Sequence, residues 1–183
     1  MFTGIIAGTT KVNTVTIKPG LMTFTVTLPS PQDKIEIGAS ISINGVCLTV
    51  AKLNNLEITF DVIQETLNIT TLGKIKEGSI VNFERSAKFG TEIGGHQVSG
   101  HIDGIAKIIN IKKDGDDVRV YFEISPNLTQ YIFTKGFISI NGASLTVVDV
   151  DRAKNIFHVA LIPETLKRTT FGLSSIDDYV NIE

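Results

Sequence analysis

Residues 41–50 of the chain read Ile-Ser-Ile-Asn-Gly-Val-Cys-Leu-Thr-Val, and residues 138–147 read Ile-Ser-Ile-Asn-Gly-Ala-Ser-Leu-Thr-Val. Three shorter blocks recur in the same order: Glu-Thr-Leu at 65–67 and 164–166, Thr-Thr at 70–71 and 169–170, and Val-Asn-x-Glu at 81–84 and 180–183. A repeat with such a long period indicates two copies of one structural unit. Two similar units could hold two similar ligands.

Alternation of apolar and polar residues is the dominant local pattern, and it indicates β-strands. The predicted strands are 22–28, 41–43, 48–53, 58–63 and 80–84 in the first copy, and 105–111, 118–124, 138–140, 145–150 and 156–162 in the second. Asn44-Gly45 and its repeat at 141–142 fit a hairpin turn, because Asn and Gly both tolerate positive φ. Helix is predicted only for short segments, at 126–133, 65–67 and 164–166.

Many short strands joined by turns are typical of a sandwich or a closed barrel, and closure removes exposed sheet edges. We therefore expect an all-β chain made of two tandem barrels with about six strands each. The expected domains are residues 1–84 and 98–183. Residues 85–97 are expected to connect them, with Gly94-Gly95 in a turn.

Composition excludes several classes of function. The formal net charge of the 183 residues is -2, so nucleic-acid binding has no electrostatic basis. No apolar stretch approaches the roughly 20 residues needed to span a bilayer, and the N-terminus does not resemble a signal peptide. A single Cys and three scattered His form no recognisable metal site. We expect a cytoplasmic protein that binds neither nucleic acid nor membrane and uses no metal or other cofactor.

Cys47 and Ser144 occupy equivalent places just after the Asn-Gly turns, and each is followed two residues later by a threonine, Thr49 or Thr146. These positions could face a ligand, with Cys47 as a nucleophile or hydrogen-bond donor. They could equally hold small residues packed under a hairpin, since a free Cys is usually a buried small hydrophobe.

His101 lies in a Gly-x-x-x-Gly frame whose counterpart in the first copy holds Ile5 at the same place. Histidine can act as donor, acceptor or base near neutral pH. A solvent-exposed loop histidine is the alternative. The difference between the copies favours one reactive pocket and one accessory pocket. Lys135 could meet an anionic group or be solvated, and His96 and His158 have no comparable sequence context.

Taken together, the motifs resemble one known family over essentially the whole chain. They are the opening Met-Phe-Thr-Gly-Ile-Ile, the paired Asn-Gly-x-Cys/Ser-Leu-Thr-Val, Lys88-Phe89, Gly94-Gly95-His96, the Ser-Gly-His-Ile at 99–102 and the Ile-Pro-Glu-Thr-Leu at 162–166. The chain is similar to riboflavin synthases of the alpha-chain type, and the motifs occur in order and in two copies.

The resemblance implies two six-stranded Greek-key barrels, each with a pocket for 6,7-dimethyl-8-ribityllumazine. It implies a dismutation in which one lumazine gives a four-carbon unit to another, yielding riboflavin and 5-amino-6-ribitylaminopyrimidinedione. Two facing pockets would hold the two reactants in a productive orientation.

Carried over by position, the resemblance also implies the site residues. The first pocket would use Cys47, Leu48, Thr49, Asp61, Val62, Ile63, Gln64, Glu65 and Thr66, completed by Gly100, His101 and Ile102 of a neighbouring subunit. The second would use Ser144, Leu145, Thr146, Ile162, Pro163, Glu164, Thr165, Leu166 and Lys167, completed by a neighbour's Gly4, Ile5 and Ile6, with Lys135 as a further contact. The residues expected to serve the chemistry are His101, Ser40, Cys47 and Thr146, with Phe2 shaping the site.

Members of this family usually continue past the position of Glu183 with an acidic residue and a helix that holds a trimer together. We therefore expect a homotrimer for the complete protein and weaker association for residues 1–183 alone.

A related class of lumazine-binding fluorescent proteins shares the barrels without catalysing turnover, and it is the alternative. His101 and Cys47 favour the enzyme. A tandem barrel that serves only as an interaction module is a third possibility.

Overall fold

The computed structural model describes residues 1–29 and 35–183. Its twelve strands are β1 (Gly8–Lys18), β2 (Leu21–Thr27), β3 (Ser40–Ile43), β4 (Val46–Asn54), β5 (Glu57–Ile63), β6 (Ile80–Arg85), β7 (Gly104–Asp114), β8 (Asp117–Ile124), β9 (Phe137–Ile140), β10 (Ala143–Asp151), β11 (Ile156–Leu161) and β12 (Tyr179–Ile182). The three short α-helices are α1 (Gln64–Ile69), α2 (Pro126–Thr129) and α3 (Pro163–Arg168).

The strands close into two antiparallel barrels of six strands each. The order around the first is β1-β2-β5-β4-β3-β6, and the second repeats it with β7 to β12. In the first barrel, β3, β4 and β5 are neighbours joined by hairpins, and β6 returns to lie beside β3. This arrangement is a Greek key. The predicted fold class is confirmed.

Two strands were not among those predicted. β1 has only two buried side chains, Thr10 and Val12, among its eleven residues, so its hydrophobic alternation is weak. β12 is four residues long and places Val180 and Ile182 in the second core. Both owe their place to pairing at the barrel seam, where β6 bonds β1 and β12 bonds β7.

Each barrel encloses its own core. In the first, Phe24 and Phe60 face each other from β2 and β5, with ring centroids 5.4 Å apart. In the second, Phe122 and Phe157 stack at 5.0 Å. Full burial of such side chains contributes roughly 1.5–3 kcal/mol each.

The segment that precedes each barrel packs against the core of the other barrel. Ile6, just before β1, is buried in the core of the second barrel, while Ile102, just before β7, packs against the core of the first. Phe2 and Val98 join the two segments through a pair of backbone hydrogen bonds of 2.7 and 3.0 Å. Each barrel is therefore sealed by chain that leads into the other.

A second contact between the barrels is built from two equivalent asparagines. The Nδ2 of Asn82 donates to the carbonyl of Asn141 (2.9 Å), and the Nδ2 of Asn181 donates to the carbonyl of Asn44 (2.8 Å). Their Oδ1 atoms accept from the backbone of Thr170 and Thr71, both at 2.7 Å. Both side chains are fully buried, so these bonds are exchanged without competition from water.

All three α-helices are short, but their lengths differ from those predicted. α1 and α3 follow β5 and β11 directly and cover the two predicted turns at 65–67 and 164–166. α2 ends at Thr129 rather than continuing to 133. No helix in the described part of the chain is both long and apolar enough to cross a membrane.

Candidate functional site

A cavity of about 370 Å³ lies at one end of the second barrel. This volume falls within the usual range for small-molecule sites, about 300–1,000 Å³. Its lining includes eight of the residues predicted for the second pocket, namely Gly4, Ile5, Ile6, Ser144, Leu145, Ile162, Glu164 and Thr165, together with Ala143, Arg168 and Thr169. We call this cavity the second pocket.

The second pocket depends on a close approach between Gly4 and Ser144. The Ser144 N–H donates to the Gly4 carbonyl at 2.8 Å. A Cβ at position 4 would lie 2.6 Å from the Ser144 Cβ, and Gly4 has φ +75°. Only glycine meets both conditions, which explains the Gly in the opening motif.

The same arrangement recurs in the first barrel, around Cys47. The Cys47 N–H donates to the Gly100 carbonyl at 2.9 Å, and Gly100 has φ +84°. A Cβ at position 100 would lie 2.6 Å from the Cys47 Cβ and 3.0 Å from the Phe2 ring. We call the surroundings of Cys47, Leu48, Thr49 and the segment 100–102 the first pocket.

Residues 4–6 and 100–102 lie beside Ser144 and Cys47 of the same chain. Ile6 and Ile102 are anchored in the cores of the opposite barrels. The contribution of the same segments from a neighbouring subunit stays a prediction.

His96 is a site residue that the sequence analysis passed over. Its Nδ1 lies 2.6 Å from the Ser144 Oγ, and its ring stacks on Phe137 with centroids 4.8 Å apart. Burial lowers the pKa of His96, and the nearby Glu183 carboxylate opposes that shift. Burial therefore favours the neutral imidazole, which shares one hydrogen bond with the serine hydroxyl.

The signal for His96 was the glycine pair that precedes it. A Cβ at Gly95 would collide with the Thr3 carbonyl and lie 2.7 Å from the Ser144 Cβ. The His96 N–H also donates to the Thr3 carbonyl at 3.1 Å. Gly95 thus permits the close approach that brings His96 to Ser144, rather than merely forming a turn.

The residues predicted to serve the chemistry near Cys47 range from exposed to buried. His101 is exposed, and its N–H donates to the Ser99 Oγ at 3.0 Å. Ser40 and Thr49 are paired across β3 and β4, with Ser40 half-buried and Thr49 exposed. Phe2 is only 2% exposed, and its ring packs against Gly100.

The segment after Phe60 divides between the core and the surface. The Asp61 side chain points outward and accepts from the Thr23 hydroxyl at 2.6 Å, whereas Val62 is buried in the first core. Ile63 is 59% exposed. The next three residues, Gln64, Glu65 and Thr66, form the first turn of α1.

The remaining residues predicted for the second pocket lie outside its cavity. Thr146, Pro163 and Lys167 are exposed, and Leu166 packs against the core. Lys135 is exposed at φ +67°, and its N–H donates to the Val147 carbonyl at 2.8 Å. None of these five lines the cavity of the second pocket.

The two pockets differ in charge at one helix. In α3, Arg168 forms an ion pair with Glu164, which keeps the pKa of that carboxyl below its usual value. The equivalent of Arg168 in α1 is Ile69, so Glu65 has no arginine one turn away. Arg168 also lines the second pocket, a role the sequence analysis did not assign to it.

Metal ligation has no support in the described residues. No group of three or more His, Cys, Asp or Glu side chains in the described ranges is arranged to hold an ion. The side chains at the pockets instead offer hydroxyl, thiol, imidazole and carboxylate groups suited to hydrogen bonding and proton transfer.

Comparison with known proteins assigns the class. The family model described as "Lumazine binding domain" matches residues 3–86 and again residues 99–183. The chain is thus a tandem of two lumazine-binding domains.

Curated relatives narrow the assignment. The chain is 46% identical over 185 aligned positions to the riboflavin synthase of Escherichia coli (strain K12), covering 100% of this chain and 86% of that protein. It is 50% identical over 146 positions to the riboflavin synthase of Chlamydia pneumoniae, covering 80% of this chain and 70% of that one. The chain belongs to the riboflavin synthase family.

Solved structures agree on the fold. LumP complexed with riboflavin matches with a TM-score of 0.90 at 27% identity, and LumP complexed with 6,7-dimethyl-8-(1'-D-ribityl) lumazine matches with a TM-score of 0.87 at 26% identity. Each comparison covers 100% of this chain and 98% of the LumP chain.

Proposed function

We propose that this chain is a riboflavin synthase, a transferase that converts two molecules of 6,7-dimethyl-8-ribityllumazine into riboflavin and 5-amino-6-ribitylaminopyrimidinedione. The observation that carries this proposal is the 46% identity to a riboflavin synthase over the whole chain, including both domains. The two products together account for every atom of the two substrates. The reaction therefore requires no oxidant, reductant or other co-reactant, and the enzyme needs no cofactor.

The duplicated barrel suits a reaction between two copies of one molecule. The two pockets are built on equivalent strands, β4 and β10. Equivalent glycine contacts close them, Gly100 to Cys47 in the first and Gly4 to Ser144 in the second. Holding both reactants in fixed orientation converts a bimolecular encounter into an effectively unimolecular step.

The two pockets offer different side chains, so we assign them different roles in the reaction. Transfer of a four-carbon unit requires a proton to leave the 7-methyl group of one lumazine. Beside the second pocket, His96 is hydrogen-bonded to the Ser144 hydroxyl and orients it to bind a ligand. In the first pocket, His101 is the acid–base group for the reaction. Cys47 and Ser40 in the first barrel and Thr146 in the second act as donors to the two ligands.

The proposal extends to assembly and location. Five large apolar side chains, Ile5, Tyr131, Phe133, Phe137 and Ile162, are between 52% and 72% exposed. Apolar surface of this kind near a ligand pocket marks an interface. It supports a homotrimer in which the pockets of neighbouring subunits face each other. The proposed location is the cytoplasm, and the proposal includes no nucleic-acid or membrane partner.

A non-catalytic lumazine- or riboflavin-binding protein is the second candidate, favoured by the TM-score of 0.90 to LumP. The identity of 27% to LumP, against 46% to a riboflavin synthase, favours the enzyme.

The test is incubation of the purified protein with the lumazine alone, followed by chromatography. Riboflavin accumulating to many equivalents per chain supports the enzyme. Tight, fluorescent retention of unchanged lumazine supports the binding protein. No binding at all would support an interaction module.

A further inference from the structure

We propose that Glu84 and Glu183 are crossed positioning residues, each of which holds closed the ligand pocket of the opposite barrel. This inference rests on the proposed function only in taking the two pockets as the lumazine sites. It assigns a role to two carboxylates that do not line these pockets themselves but bind the backbone of the glycines that do.

Glu84 lies at the end of the first barrel, on β6, and binds the N-terminal segment. Its Oε1 accepts from the Thr3 N–H and from the Thr3 Oγ1, both at 2.7 Å, and its Oε2 accepts from the Gly4 N–H at 3.1 Å. Glu84 is only 5% exposed. Both carboxylate oxygens are thus committed to two consecutive residues.

Glu183 makes the equivalent contacts at the end of the second barrel. Its Oε1 accepts from the Ser99 N–H at 2.7 Å and from the Ser99 Oγ at 2.8 Å, and its Oε2 accepts from the Gly100 N–H at 2.9 Å. Glu84 and Glu183 thus accept from the same three kinds of donor, and this set of hydrogen bonds is part of the repeated unit.

The crossing follows from where these segments lead. Gly4, held by Glu84 of the first barrel, receives the Ser144 N–H in the second pocket. Gly100, held by Glu183 of the second barrel, receives the Cys47 N–H in the first pocket. Each clamped glycine therefore closes a pocket of the barrel to which its carboxylate does not belong.

The chemistry requires a carboxylate at both places. Three donors converge on two oxygens, and a charged acceptor roughly doubles the strength of each hydrogen bond. Glutamine offers one acceptor oxygen, and its NH₂ group would face the N–H of Gly4 or Gly100. Burial raises the pKa of Glu84, while the bonds from Thr3 and Gly4 oppose that shift. These bonds thus help to keep a buried carboxylate ionised.

The single thiol of the chain provides a direct reporter. Cys47 is the only cysteine, it is half-buried, and it lies under Gly100 in the first pocket. The double substitution Cys47→Ser/Ser144→Cys moves the reporter to the second pocket, under Gly4. Alkylation by iodoacetamide then measures how firmly each glycine segment closes its pocket, without any lumazine present.

The experiment introduces Glu84→Gln or Glu183→Gln into both reporter proteins. We expect Glu183→Gln to accelerate alkylation of the thiol in the first pocket by about tenfold, which corresponds to about 1.4 kcal/mol, and to leave the thiol in the second pocket nearly unchanged. Glu84→Gln is expected to give the reverse pattern. Glu77→Gln, at an exposed loop position, is the matched control and should change neither rate.

The crossed pattern separates positioning from general stability. A variant that merely loosens the fold would accelerate both thiols alike, and that result would overturn the proposal, as would an effect confined to the pocket of the same barrel or no effect at all. If either glutamine variant fails to fold, Thr3→Val and Ser99→Ala remove the hydroxyl donor to each carboxylate, together with the acceptor for the Ile5 or His101 N–H, and should give the same crossed pattern with smaller ratios.

Because alkylation is measured without substrate, its outcome is independent of the proposed activity. Lumazine added to the same reporters then connects the two questions. Protection of both thiols would show that the clamped pockets are the ligand sites. A crossed pattern without protection would retain the clamps and contradict the proposed ligand.

Discussion

Gly45 and Gly142 lie back to back across the boundary between the barrels. A Cβ on Gly45 would lie 2.7 Å from the Gly142 nitrogen, and a Cβ on Gly142 would lie 2.9 Å from the Gly45 nitrogen. Both residues have φ +85° in hairpin turns. The Asn-Gly repeat therefore serves the contact between the two copies as well as the turn within each copy.

Gly142→Ala should destabilise the protein in two ways. The left-handed backbone costs a non-glycine residue about 1–2 kcal/mol, and the collision with Gly45 adds roughly 1–3 kcal/mol. Gly20→Ala is the control, because Gly20 has φ +76° with nothing within 4 Å of its Cβ position. Chemical denaturation should give the larger loss for Gly142→Ala. Equal losses would mean that the inter-barrel contact is loose enough to yield.

Asn82→Ala should be among the most destabilising substitutions of a polar residue. It leaves the Asn141 carbonyl and the Thr170 N–H without their partner, at a cost of about 2–4 kcal/mol. Asn181→Ala should cost a similar amount because its contacts are equivalent. Asn68→Ala, on an exposed turn of α1, should change the free energy of unfolding by less than about 0.5 kcal/mol. A small effect of Asn82→Ala would contradict the role given to this pair.

His96 should make stability depend on pH in a specific direction. Its folded pKa lies below the unfolded value of about 6.5, so the unfolded chain binds more protons between the two values. The stabilisation from the neutral ring is complete above pH 6.5 and is lost as the pH falls through and below that value.

The check is the difference in free energy of unfolding between the wild type and His96→Gln, followed downward from pH 8. The difference should shrink below about pH 6.5. The pKa of His158 is also lowered by burial, but His158 is present in both proteins and cancels. Parallel curves would show that His96 is not held in its neutral form.

His101 and Ser144 should differ in their kinetic effects. His101→Ala should lower kcat by about 100-fold or more, as expected for loss of an acid–base group, with a smaller change in lumazine affinity. Ser144→Ala removes a hydroxyl in the second pocket and should mainly weaken binding of one of the two ligands. Equilibrium titration beside steady-state kinetics separates these effects. If both changes alter only affinity, and by similar amounts, the assignment of one reactive and one accessory pocket is wrong.

Local signals in the sequence were sufficient for the repeated fold. Asn44-Gly45 predicts its own turn because the required positive φ is a property of those two residues alone. The alternation in 22–28 likewise reports a strand with one buried face. β1 was not predicted because its own sequence alternates weakly, and pairing with neighbouring strands in the closed barrel stabilises it.

The site was less predictable because its key contacts join distant residues. His96 reaches Ser144 across 48 positions, and Glu84 reaches Thr3 across 81. Gly94-Gly95 is a local signal for His96, but it does not predict contact with Ser144. The resemblance, by contrast, identified the surroundings of Ser144 and Gly4 by position. Alternation of apolar residues predicts a strand but does not show which barrel a segment packs against. The positions of Ile6 and Ile102 in the opposite cores could therefore not be predicted.

The most direct test of the central claim is the mass balance of the reaction with lumazine as the sole reagent, in the presence of a chelator. The account predicts that the protein consumes two lumazine molecules for each riboflavin formed and releases one 5-amino-6-ribitylaminopyrimidinedione with it, at an undiminished rate. Stoichiometric binding of lumazine with no riboflavin formed, or activity that disappears with the chelator and returns with a metal ion, would contradict it.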